Sequence, residues 1–183
     1  MSRTKSLIYC SLFTALIAVG AFIRVPIPVL PFTLQYLFTM LAGLLLGSKR
    51  GTISVVAYML LGLAGLPIFT EGGGFWYVFK PSFGYIIGFC VGTYITGRIA
   101  EHFEEKTVSH YLIANFAGLA ALYAIGMIYY YIICNYVIGA PIGLWPLFLY
   151  CFILAIPGDI FLSILGAVVA KRIQPILARQ VFN

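Results

Sequence analysis

Residues 154–172 read LAIPGDIFLSILGAVVAKR, an apolar run that closes on Lys171–Arg172 and holds one acid, Asp159, just after Pro157–Gly158. A bilayer core of about 30 Å takes roughly 20 helical residues to cross, and this run has that length and character. The rest of the chain matches it. Of 183 residues, 62% are hydrophobic and only 9% charged, with a mean hydropathy of +1.04. A water-soluble domain of this size needs more polar residues to cover its surface. A membrane barrel would show alternating segments of about 10 residues, and none appear. The chain reads as an all-α integral membrane protein, a compact bundle of six transmembrane helices in one domain, 1–183.

The six expected spans are 6–23, 33–47, 52–66, 83–100, 109–138 and 146–170. The first follows a basic start and resembles a leader, but it runs on without a good small-residue cleavage site and reads as a retained helix. The second and third are short, as in buried or tilted helices. The fifth is long, which implies tilt or a break near Gly126. With the N-terminus inside, nine of the eleven Lys and Arg residues fall on the inner side: Arg3, Lys5, Lys49, Arg50, Arg98, Lys106, Lys171, Arg172 and Arg179. Only Arg24 and Lys80 fall outside. The positive-inside rule then places both termini in the cytoplasm. This distribution also accounts for the net charge of +6 without a nucleic-acid partner.

The elaborate connections face outward, where a ligand would arrive. RVPIPVLP (24–31) has three prolines and reads as extended chain. The loop GLPIFTEGGGFWYVFKPSFGY (65–85) carries a glycine run at Gly72, Gly73 and Gly74, which suits close backbone approach or a hinged lid. Its aromatics Phe69, Phe75, Trp76 and Tyr77 fit either an apolar wall for a small ligand or an interfacial belt. Asp159 is the central candidate. An acid in mid-membrane costs about 2.5–3.5 kcal/mol on insertion scales, so it faces the interior, either as a ligand's acceptor or a proton carrier, or paired with a helix amide or hydroxyl. The break expected at Pro157–Gly158 frees carbonyls at the same depth. Gln35, Asn115 and Asn135 are lone amides suited to interhelical hydrogen bonds. On the first helix, Ser11 and Ala15 have the small-xxx-small spacing of close helix packing, either internal or on another membrane subunit.

Four single cysteines, Cys10, Cys90, Cys134 and Cys151, lie in apolar segments and read as fillers; no metal or other cofactor is expected. There is no GxxxxGK[ST], so this chain has no P-loop for ATP, and no HExxH. His102 and His110 fall near inner loop ends, as solvated residues do. An intramembrane enzyme using Asp159 would need a second catalytic group at its depth, and the sixth helix offers none. A purely structural subunit leaves both the buried acid and the glycine loop without a purpose.

RVPIPVLPFTLQYLFTMLAGLLLGSKRG, GLAGLPIFTEGGG, KPSFGYIIGF and IPGD occur here in the order and spacing of one family. The chain resembles BioY proteins, the biotin-specific substrate-binding (S) components of energy-coupling-factor transporters, over nearly its whole length. The resemblance implies a non-enzymatic subunit in the plasma membrane of a prokaryote, with six helices and a biotin pocket open to the outside. It also implies partnership with a transmembrane coupling (T) subunit and two cytoplasmic ATPases, docked on the first-helix face around Ser11 and Ala15. Asp159 of PGD corresponds to the acid that binds the biotin head group, whose two ureido N–H groups need acceptors once buried. Tyr85, Gln35 and Gly72–Gly74 correspond to segments lining or closing the pocket. Two positions depart from the family pattern. A lysine usually stands three residues after the acid, where this chain has Leu162, which leaves a precursor such as dethiobiotin or another small vitamin as the alternative ligand. Small residues are usual where this chain has Glu71. Glu71 and Lys80 are then candidates for a latch, or Lys80 for attracting the valerate carboxylate.

Overall fold

The computed structural model describes residues 3–25 and 32–181. The expected extended segment falls largely on residues 26–31, outside the described residues, as does the side chain of Arg179. The chain is helical, and five elements are long and apolar enough to cross a membrane. α1 is Arg3–Phe22. Its inward stripe, Phe13, Thr14, Ile17, Gly20 and Ala21, follows helical spacing, while Ser11 and Ala15 lie on its exposed side. A two-residue ribbon follows, β1 (Arg24–Val25) antiparallel to β2 (Phe32–Thr33).

α2 spans Gln35–Leu63 but breaks at Gly47, whose φ of 84° suits glycine. The break reverses the chain. Thr14 Oγ1 donates to Ser54 O at 3.0 Å and Cys10 Sγ lies 3.6 Å from Arg50 O, so the second limb rises alongside α1. Farther along α1, Gly20 meets the backbone of Gln35 at the start of the first limb. That limb therefore runs opposite to α1. The two segments expected at 33–47 and 52–66 are limbs of one hairpin, and the connection GSKRG shrinks to almost nothing.

α3 is Phe83–His102 and α4 is Val108–Ile132, the latter ending in a widened π turn, Ile133–Val137. α4 runs unbroken through Gly126, against the alternative of a break there. The glycine instead makes room for a neighbour: a Cβ on it would lie 2.6 Å from the ring of Tyr85. Small residues bring α2, α3 and α4 close together, with Gly43 against Thr93 and Gly92 against Gly118. The last apolar stretch is segmented into α5 (Leu144–Phe148), a second π turn (Leu149–Ile153) and α6 (Ile156–Val181). Pro157–Gly158 therefore does not loosen the middle of a helix. It lies in the first turn of α6, where a missing proline N–H leaves no ladder bond unmade. Asp159 is thereby set in that first turn, its carboxylate at the positive end of the helix dipole.

Candidate functional site

At the end of the bundle where α1 finishes and α6 starts, the helices enclose a cavity of about 350 Å³, in the range of small-molecule sites. Four sequence candidates, Asp159, Tyr85, Gln35 and Lys80, lie on its wall. Phe32, Ile86, Phe89, Leu122 and Ala155 supply apolar surface between them.

Asp159 is 6% exposed, and its Oδ2 accepts a hydrogen bond from the Tyr123 hydroxyl of α4. Its Oδ1 makes no hydrogen bond among the described residues. Tyr85 of α3 stands edge-on to Tyr123, ring centroids 6.4 Å apart. The Tyr85 hydroxyl donates to Cys151 O at 3.4 Å, a carbonyl of the π turn before α6. The interrupted helix thus both starts Asp159's turn and anchors the tyrosine beside it. Below, the Tyr36 hydroxyl lies 2.9 Å from Ser163 Oγ, and Asn115 Nδ2 donates to Ser163 O at 3.0 Å. These bonds tie α2, α4 and α6 together beneath the acid. Gln35, 3% exposed in the first turn of α2, makes no well-formed hydrogen bond from its Nε2 among the described residues, the Tyr58 hydroxyl being its polar neighbour. An orphaned buried donor costs about 1–3 kcal/mol, and this one belongs to a residue lining the cavity.

The mouth carries charge. Lys80 Nζ lies 2.7 Å from Glu71 Oε2, with both side chains about half exposed. Arg24 Nη1 donates to Thr70 O at 2.9 Å. The two cations expected on the outer side therefore hold adjacent residues of one loop. Gly72, Gly73 and Gly74 do not line the cavity. Gly72 exchanges backbone hydrogen bonds with Phe69, and Gly74 N donates to Gly62 O at 2.7 Å. Gly72 and Gly74 have positive φ, and a Cβ on Gly73 would run into the Leu66 carbonyl. The glycines fold the loop against the end of α2 so that Thr70 and Glu71 reach the wall. Of the loop's aromatics Tyr77 lines the cavity and Phe69 packs behind it against Tyr58. Phe69 and Tyr77 are buried, while Phe75 and Trp76 are 67% and 79% exposed, as in a belt.

Leu162, 3% exposed, packs in the core one turn below Asp159 and is not on the wall. Tyr123 is the acid's partner in this chain, and the sequence reading missed it. Its signal was Tyr123 and Tyr130, two turns apart on one face of an apolar helix with Gly126 between them. Both tyrosines line the cavity. Among the described residues no three His, Cys, Asp or Glu side chains gather as a metal site would need.

Helices built to cross a membrane around a mostly apolar cavity with one buried acid define a membrane protein with a small-molecule site. The comparisons place it further. The chain matches the BioY family over residues 1–179, and it belongs to that family. It is 41% identical over 173 residues to a probable biotin transporter BioY of Lysinibacillus sphaericus, covering 94% of this chain and 88% of that one. It is 42% identical over 124 residues to the biotin transporter BioY of Thermotoga maritima, covering 67% and 72%. Its fold resembles the crystal structure of the S-component for biotin from an ECF-type ABC transporter, with a TM-score of 0.82 and 30% identity over 96% of this chain and 95% of that one.

Proposed function

We propose that this chain is the biotin-capturing S component of an energy-coupling-factor transporter, binding the vitamin outside the cell and delivering it inward. The observation that carries the reading is Asp159: a buried acid on the cavity wall, with one oxygen taken by Tyr123 and the other without a hydrogen bond among the described residues. The ureido ring of biotin brings two N–H donors and one carbonyl acceptor. Asp159 Oδ1 receives a donor, and Gln35 Nε2 supplies the group the carbonyl needs. Ile86, Phe89 and Leu122 take the apolar part of the bicycle and chain, with Tyr85 beside the head group. The valerate carboxylate then points to the mouth, toward Lys80. Gly72–Gly74 act indirectly by fixing the loop.

The same reading makes the molecule one transmembrane domain with six crossings, each limb of α2 counting as one, and with cytoplasmic termini. At about 1.5 Å per residue the limbs are roughly 18 and 24 Å long, shorter than the bilayer core, so the first is set among its neighbours rather than spanning alone. The exposed Ser11 and Ala15 form the face for the T subunit, which couples the chain to two ATPases. The chain itself performs no catalysis. Leu162 sustains the second reading, a biotin relative as ligand. Calorimetric titration of the purified protein with biotin, dethiobiotin and unrelated vitamins separates the two. The first predicts submicromolar biotin binding with dethiobiotin weaker, and tighter binding of dethiobiotin would transfer the assignment to the precursor.

A further inference from the structure

Lys80 is the one cation among the described residues lining the cavity, and two carboxylates, Asp159 and Glu71, share that wall with it. An acidic ligand therefore meets a lysine that is already paired. We propose that Glu71 is a built-in competitor for the ligand's carboxylate: its side chain occupies Lys80 until the acid group of the ligand takes that lysine, and returns as the ligand leaves. The inference rests on biotin, or another carboxylic acid of its kind, being the ligand.

The geometry suits an exchange. Besides Glu71 Oε2 at 2.7 Å, Lys80 Nζ lies 3.5 Å from the Glu71 carbonyl oxygen and 5.1 Å from the centroid of the Tyr77 ring. These two neighbours hold the ammonium in place when the carboxylate swings away, and an ammonium has three protons to share. The loop backbone also has holders of its own. Arg24 grips the Thr70 carbonyl, Phe69 and Gly72 bond to each other, and Gly74 is tied to Gly62. Glu71 can therefore release its partner without unfolding the loop. A half-exposed pair of this kind is weak, so a ligand carboxylate displaces it at small cost. A neutral ligand offers Lys80 at most an uncharged acceptor, too weak to displace a carboxylate, and leaves the pair closed. Glu71 thus lowers affinity for acids selectively, and it supplies a replacement partner for Lys80 at the moment of release.

The test titrates wild type, Glu71→Gln, Lys80→Gln and the double variant, each in lipid nanodiscs, with biotin and with its neutral carboxamide. Glu71→Gln is expected to tighten biotin about two- to fivefold, the worth of an exposed ion pair, and to leave the carboxamide unchanged. In the Lys80→Gln background the same substitution is expected to change nothing. Glu71→Gln that leaves biotin unchanged, weakens it, or shifts acid and amide alike overturns the inference. So does tightening that persists without Lys80, since that reports only the removal of a distant negative charge. A wild-type protein that binds neither compound overturns the biotin reading and this inference with it. Normal binding of both, with no preference created by Glu71→Gln, overturns this inference alone.

Discussion

Two carboxylates near opposite ends of the bundle are treated differently. Glu101, in the last turns of α3, is saturated by its neighbours: Ser48 N and Ser48 Oγ each donate to it at 2.8 Å, and Arg98 lies 3.9 Å away. These bonds clamp the hairpin at Gly47. Nearby, Lys106 Nζ donates to Ala100 O at 2.5 Å and Phe103 O at 2.8 Å, closing off the end of α3. Burial pushes that ammonium below the ordinary lysine value, against the upward pull of Glu101. Asp159, more deeply buried, keeps one oxygen without a hydrogen bond among the described residues, and Gln35 lines the same cavity. A finished network holds a turn in place. In the proposed reading the unfinished one, on a cavity wall, is completed by a ligand, because a buried polar group without a partner costs free energy that binding recovers.

Four substitutions can break that contrast. Gly126→Leu has the largest expected effect on the cavity end. Its side chain meets the ring of Tyr85, which lines the cavity, and overpacking of about 1–3 kcal/mol should weaken biotin binding about tenfold to hundredfold. Tyr123→Phe strips Asp159 of its described donor. Thermal unfolding in detergent should show a loss of about 1–3 kcal/mol, the penalty for a buried polar group left short of a bond. Gln35→Ala removes a single neutral donor; titration should show biotin weakened roughly two- to tenfold, corresponding to about 0.5–1.5 kcal/mol. Ser48→Ala, at the finished end, should lower the unfolding midpoint while leaving biotin affinity within about twofold. A Ser48→Ala protein that melts normally but binds poorly would undo the division between the two ends.

The apolar runs made the helices legible, since little but a bilayer explains so much exposed hydrophobic surface. GSKRG marked the reversal between the limbs of α2. The sequence could not reveal that Gly47 alone would complete it, because that depends on Ser48 meeting Glu101, 53 residues away. Asp159 stood out as a costly acid, and Glu71 with Lys80 as a candidate pair. Tyr123 did not stand out, because a tyrosine in an apolar helix is ordinary until the fold turns its hydroxyl toward an acid 36 residues on. The glycine run pointed to the loop that borders the cavity, although the glycines themselves do not line it. Its positive φ angles fold the loop so that its neighbours, rather than the glycines, reach the cavity. Pro157–Gly158 looked like a mid-helix break because its helix reads as longer than it is, and the π turn at Leu149–Ile153 has no sequence signature of its own.

The central claim is that the open oxygen of Asp159 binds the ligand's ring. Calorimetric titration of wild type and Asp159→Ala with biotin, both checked by thermal unfolding, tests it most directly. The account predicts submicromolar binding by wild type and a loss of about 100-fold or more in the folded variant, the scale of a charge-assisted bond plus the donors left unpaired. Wild-type protein that is folded yet silent toward biotin, or a variant that binds as tightly as wild type, would contradict it.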